Sequence, residues 1–252
     1  MYSPKHDLGV EVEALIAELQ RRVANGAQRR AQSYTHYVPS LEHVQRRKMW
    51  PKEFQIPREQ WFTHPNYPKQ KQMPTYHVHF REEMFLVLRH TLKGLQLIME
   101  MQLASKSQEE RKSAMKMITT QLTTAGQVFA HSMETLSFHV RLEEGHYFPA
   151  LQKAVGSSVD LSFLYHDHRE LHLAEEKVHE QLRRTEGVLA HVQKQPPPHA
   201  HEQMQRDDYE KLLLAMLSFA FAATAFDDAL LNHLGEEEEL VVPISLTRRV
   251  EI

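Results

Sequence analysis

Apolar residues recur every three or four positions through most of this chain, with few interruptions by turn residues, which is the pattern of long amphipathic helices. Residues 7 to 25 make the first such stretch, with Val10, Ala14, Leu15, Ala17, Leu19 and Val23 apolar and Asn25-Gly26 as a stop. Residues 26 to 78 break the pattern. Six prolines (Pro39, Pro51, Pro57, Pro65, Pro68 and Pro74) alternate there with Trp50, Phe54, Trp61, Phe62, Tyr67 and Tyr76. Prolines at that density forbid a long helix, and the interleaved aromatics predict an irregular segment lying on a protein surface.

From His79 the helical period returns. A first long helix is expected from roughly Phe80 to Ala104, and a second from Ser107, where Ser107 and Glu110 match a capping box, to about Gly145 or beyond, with Pro149 following. A third is expected from Ser157 or Ser158, with Asp160 in its first turn, to at least Glu186. After the break at Gln195-Pro196-Pro197-Pro198, a fourth should run from Met204 to Glu238 and end before Pro243. The expected fold is therefore all-α: an up-down four-helix bundle over residues 79–252, preceded by an extension, residues 1–78, of one helix and the Pro- and aromatic-rich segment packed on the bundle.

Composition and charge sharpen this picture. The formal charge is −3 and there is no basic stripe, which argues against nucleic acid or an anionic membrane as a partner. The longest apolar run, Leu212 to Phe226, is shorter than a membrane span and closes on Asp227 and Asp228, so a buried core helix is expected. Cysteine is absent, which rules out disulfides, thiolate sites, iron–sulfur clusters and a Cys nucleophile. No secretory signal is visible between Met1 and Glu13, and the expected location is the cytoplasm. Histidine, in contrast, occurs 18 times, so imidazole and carboxylate are the strong ligands on offer.

Several of these histidines have ligand spacing. His139 and Glu143 stand four apart on the second helix, and His233 and Glu237 four apart on the fourth, so each pair shares a helix face. A single His-x3-Glu is more often a solvated surface pair. Here the arrangement repeats: ten residues separate His139 from Pro149 and ten separate His233 from Pro243, each segment reading as a helix end. Two matched copies on alternate helices suggest a pseudo-twofold bundle with a site on its axis; the bland reading is a duplicated helix-end signal. On the third helix His168 and His172 form an i, i+4 pair, which without the other motifs would be an exposed pair. On the first, His90 lies on an apolar face with Leu86 and Leu97, where a hydrogen-bonded core histidine is the plainer reading. Glu143-x-x-His146 and Glu176-x-x-His179 match the motif of ferritin-like carboxylate bundles, but fall on consecutive rather than alternate helices. His131, His166 and His191 are expected on the surface, and His199 and His201 in a solvated loop.

Taken in order along residues 79 to 245, His90, His139, Glu143, His168, His172, His233 and Glu237 resemble the ligand series of the hemerythrin-like, or HHE cation-binding, family, and Phe148-Pro149 fits its pattern. The resemblance implies a non-haem di-iron centre of two iron ions with an oxo or hydroxo bridge. His168, His172 and His233 would saturate one iron, His90 and His139 would hold the other and leave a position open, and Glu143 and Glu237 would bridge. If His90 aligns with His168, Gly94 stands where His172 does and accounts for that open position. The expected function is binding or sensing of a small ligand: oxygen first, with nitric oxide or peroxide next. A di-iron oxidase- or peroxidase-type enzyme is the alternative, as is a metal-responsive helical binding module whose residues 1–78 meet a protein partner.

Overall fold

The structure, a computed structural model, describes residues 12–24, 41–70, 72–103, 107–194, 202–248 and 250. Among these, every regular element is a helix. The Gln195–Pro198 break, His199 and His201 lie outside the described residues, as do Val10 and Asn25-Gly26.

Helix α1 spans residues 12–24. It buries Leu15, Ile16 and Leu19, while Arg22 reaches Asp228 with two bonds of 2.7 and 2.9 Å and Asp227 at 3.4 Å. The Pro-rich stretch forms α2 (Leu41–Met49) and two single-turn helices, α3 (Arg58–Trp61) and α4 (Tyr67–Gln70). The long elements are α5 (Gln72–Leu103), α6 (Gln108–Leu142), α8 (Ser162–Lys194) and α9 (Glu202–Arg248). Helix α6 passes through a π-helical turn, Glu143–Tyr147, into α7 (Phe148–Val155). α5 packs on α6 and α9, and α8 on α9 and α6.

Several boundaries differ from the periodic reading. α5 starts eight residues before Phe80, because Pro74 falls in its first turn, where a missing N–H interrupts no helical bond. The capping box at Ser107 forms: its hydroxyl accepts the Glu110 N–H, and the Ser107 N–H donates to the Glu110 carboxylate at 2.7 Å. α8 begins at Ser162, so Asp160 precedes it and accepts the Ser162 N–H at 2.9 Å. The two expected helix ends are not ends. Pro149 opens α7 directly after the π turn, and α9 continues through Pro243.

What carries both helices onward is a second apolar core. The first core runs along the long helices, with Phe80, Met84, Leu95, Phe129, Leu171, Val178, Met216, Phe219 and Phe226 among its buried residues. The second joins Trp50, Phe54 and Trp61 to Tyr147, Phe148, Leu151, Leu164, Leu240, Val241 and Ile244. Burying an aromatic or aliphatic side chain contributes about 1.5–3 kcal/mol, enough in aggregate to hold α9 helical past its proline. α9 is long and apolar enough by composition alone to cross a membrane. Its apolar positions Leu212, Met216, Phe219, Ala223, Phe226 and Leu230 are buried against the other helices, as in a core helix.

Candidate metal centre

Between the two cores, four helices bring six ligand-type side chains together. His139 and Glu143 stand one turn apart at the end of α6 and the start of the π turn, and His233 and Glu237 one turn apart on α9. His77, in the second turn of α5, and His168, in the second turn of α8, complete the set. They fall into two groups that share both glutamates: His77, His139, Glu143 and Glu237, and His168, His233, Glu143 and Glu237. Within each group one ligand atom per residue lies within 4.8 Å of all the others. The nearest separations are 3.1 Å for His139 Nε2 to Glu143, 3.3 Å for His77 Nε2 to Glu237 and for His233 Nε2 to Glu237, and 3.5 Å for His168 Nε2 to Glu143. A cation held at about 2.0–2.2 Å by tetrahedrally arranged nitrogen and oxygen ligands sets its ligands about 3.3–3.6 Å apart, close to these values.

The hydrogen-bond account of the site points the same way. Glu143 is 3% exposed and Glu237 0%, yet none of their four carboxylate oxygens makes a hydrogen bond of regular geometry, nor do His77 Nε2 and His139 Nε2; their neighbours are one another, at 3.1–3.5 Å. Buried carboxylates are otherwise hydrogen-bonded, because an unsatisfied buried charge is strongly unfavourable. Two divalent cations, each facing two imidazoles and sharing both carboxylates, would satisfy these atoms together. The residues present fit such ions, and nitrogen–oxygen sets of this kind suit iron, manganese and zinc.

Outside the six, the pattern repeats with the same symmetry. His77 Nδ1 lies 3.0 Å from Glu238, the residue after Glu237, and His168 Nδ1 lies 2.9 Å from Glu144, the residue after Glu143. A carboxylate on the far ring nitrogen fixes the tautomer that leaves Nε2 free to bind a cation. Glu238 is held in turn by Arg81 at 2.8 Å and by Arg58. Burial alone would lower the His77 pKa, but Glu237 and Glu238 outweigh it and raise it to about 9. His168 is raised to about 10, its burial outweighed by Glu143 and Glu237. His233, buried and facing His168 at 3.1 Å, is lowered to about 4. Burial opposes ionisation of Glu237 and Glu238, yet the imidazoles around Glu237 hold it well below the usual carboxylate range, and His77 and Arg81 hold Glu238 at about 2. The metal-free site thus carries imidazolium protons as its countercharge.

Aromatic rings wall the centre. Phe148 stacks on His168 and Phe80 packs on His139, both at 5.4 Å between centroids. Tyr147 is buried, its hydroxyl 2.7 Å from Ser245, and burial pushes its pKa above the ordinary value. A cleft of ≈ 170 Å³ between α8 and α9 is lined by Asp167, Glu170, Leu171, Ala229, Asn232, His233 and Glu236. Burial and the neighbouring Glu236 push Asp167 up to about 7.

Of the seven ligands expected from the sequence, His139, Glu143, His168, His233 and Glu237 converge here. His90 lies about 20 Å further along α5 than His77, given the helical rise, and its Nδ1 is 2.8 Å from the Gln121 side-chain oxygen. His172 is exposed beside Glu175 and Glu176 on its own helix. Gly94 does not make room at a metal: a Cβ there would come within 2.4 Å of the Met216 terminal methyl, so its small size serves helix packing. Neither Glu-x-x-His motif forms a site, since His146 is exposed and His179 pairs with Glu175. His77 escaped the sequence reading because it sits before Phe80, in the stretch assigned to the extension. Two signals mark it. It precedes His139 by nearly the interval at which His168 precedes His233, and both copies carry a Glu-Glu doublet whose second member reaches the first histidine of the opposite pair.

In comparison with known proteins, the chain matches no family model, no curated protein and no solved structure.

Proposed function

We propose that this chain is an up-down four-helix bundle of the hemerythrin-like kind whose centre holds two non-haem iron ions and binds or senses a small ligand such as oxygen, nitric oxide or peroxide. The observation that carries the reading is the pair of fully enclosed carboxylates, Glu143 and Glu237, whose four oxygens make no hydrogen bond of regular geometry and face four imidazoles. His77 takes the first-helix place that the family resemblance gives to His90, and each ion then has four protein donors, two imidazoles of its own and the two shared carboxylates. Zinc is satisfied by four, whereas iron and manganese take five or six and keep positions for a small exogenous ligand. A cleft beside His233 lies next to the centre on the α8–α9 side.

A second reading, an oxidase- or peroxidase-type enzyme, is favoured by one observation. The Tyr147 phenol is buried close enough to Glu143 and Glu237 for their charges to act on it. Iron would supply redox chemistry when bound, and the phenol would hold its proton at the hydroxyl oxygen, hydrogen-bonded to Ser245.

The test is metal content per chain, with an optical spectrum in air, on protein loaded anaerobically with ferrous iron. The reading requires about two irons per chain, with near-ultraviolet charge-transfer bands lost in His139→Ala and His233→Ala. Less than one metal per chain after loading would sink it. Sustained turnover with peroxide, reduced in Tyr147→Phe, would move the assignment to the enzyme.

A further inference from the structure

A third group of ligand-type side chains stands apart from the centre, on the outer surface of the α5–α6 pair. His79 and Glu83 are one turn apart on α5, and His131 projects beside them from α6. His79 Nε2 lies 3.2 Å and His131 Nε2 3.7 Å from the same Glu83 oxygen. The two imidazoles are exposed, with side-chain exposures of 47% and 66%, whereas Glu83 is 7% exposed. The other Glu83 oxygen, Oε2, is buried and has no hydrogen-bond partner.

We propose that His79, Glu83 and His131 form a separate, solvent-facing site for a single divalent ion of the zinc class. The donor set is two imidazoles and one carboxylate, which zinc accepts with water in the remaining position. Tetrahedral zinc with ligands at about 2.0–2.1 Å separates its donors by about 3.3 Å, and the observed 3.2 and 3.7 Å bracket that spacing. The buried carboxylate distinguishes this group from an ordinary surface pair. His172 with Glu175 and Glu176 shows the ordinary case: every member is on one helix and the imidazole is 68% exposed. At the α5–α6 surface the acid is enclosed, one of its oxygens is unsatisfied, and the two nitrogens that reach it come from different helices. A cation there would join the two imidazoles to the enclosed carboxylate and tie α5 to α6. His79 is two residues from His77, but their rings part: His77 is enclosed in the centre and His79 faces solvent. The outer site is open to solvent and would exchange its ion faster than the enclosed pair.

Zinc bound per chain, measured on the full-length protein after equilibrium dialysis against micromolar zinc, tests this for the wild type, His131→Ala and Glu83→Gln. His131 is exposed, so its truncation leaves the fold intact, which circular dichroism checks. The expected result is one zinc fewer per chain in both variants, with no change in the ions lost on Glu237→Gln. Copper(II) as a second probe should give a resonance spectrum of mixed nitrogen and oxygen ligation that survives Glu237→Gln and disappears in His131→Ala. If the enclosed centre binds nothing, the wild type still takes up one ion, lost in His131→Ala. Equal zinc counts in the wild type and both variants overturn the outer site whatever the centre holds.

Discussion

His77 and His90 lie on one helix and differ in what their rings meet: two buried carboxylates for His77, the Gln121 amide for His90. Substituting each separates ligand from packing residue. His77→Ala should lower metal content by at least one ion per chain. His90→Ala should leave metal content unchanged and lose about 0.5–1.5 kcal/mol of stability, the worth of one hydrogen bond, read from denaturant midpoints. Glu238 would act on a bound cation only through the His77 ring, so Glu238→Gln should weaken metal affinity about 10–100-fold, as outer carboxylate partners typically do, while the helices persist. Protonation of the metal-free site has a definite sign. His77 and His168 titrate at about 9 and about 10 in the folded protein against 6.5 unfolded, so their stabilisation is complete below 6.5 and lost as pH rises through those values. His233 is lowered to about 4, so its neutral burial favours folding above 6.5 and opposes it as pH falls toward 4. The chelated protein should therefore melt highest near pH 6.5, losing stability toward acid through His233 and toward alkali, between about 6.5 and about 10, through His77 and His168; metal loading at neutral pH should release protons, measurable with an indicator dye in weak buffer.

The π turn at Glu143–Tyr147 is the element on which the site depends most. Glu143, at its start, faces the centre in register with His139, Glu144 reaches His168, and beyond the extra residue Tyr147 and Phe148 enter the second core. Gly145 lies in this turn with nothing within 4 Å of where its Cβ would be. Gly145→Ala should thus raise stability by roughly 0.5–1 kcal/mol through helix propensity alone, with metal content unchanged. Deleting Gly145 is the opposite case. It would restore an α-helical turn and rotate everything after it by about 100° relative to α6, so metal binding should be lost and the melting temperature should fall. Such turns carry no periodic signature, which is why the sequence pattern reads Phe148-Pro149 as a helix end. The long helices were legible because their apolar stripes span many turns and one carries a capping box. Their ends were not, because Pro74, Pro149 and Pro243 are tolerated through first-turn position or tertiary packing, neither of which is local information. The same limit explains the ligands. The His-x3-Glu pairs were visible as spacing within one helix, whereas choosing His77 over His90 required knowing where α5 starts and which of its levels meets Glu237.

At the scale of the whole molecule, the centre lies between two apolar cores, and the Pro- and aromatic-rich segment closes the lower one. That segment is tied to the end of α9 by Arg58 to Glu238 and Glu239, by Asn66 to the Leu246 carbonyl at 2.7 Å, and by Trp61 in the core. Through Glu238 it also touches His77, so metal binding and packing of the segment should be linked. If metal binds the folded chain alone, it stabilises by about 4 kcal/mol when free metal exceeds its dissociation constant a thousandfold. For a chain of this size each kcal/mol moves the melting temperature by about 2–4 °C, so chelation should lower it by about 8–16 °C. The wild type then invites comparison with the double variant Glu143→Gln, Glu237→Gln. Removing one buried charge leaves its partners uncompensated, but removing both takes the electrostatic demand for cations out of the site. The histidines can then lose their protons and stay neutral. The double variant should melt at or above the chelated wild type and hold no ion at the enclosed centre, the outer group of His79, Glu83 and His131 being untouched. If it melts well below the chelated wild type, the two glutamates are needed for folding itself, and their burial has to be explained by packing rather than by the cations they would hold.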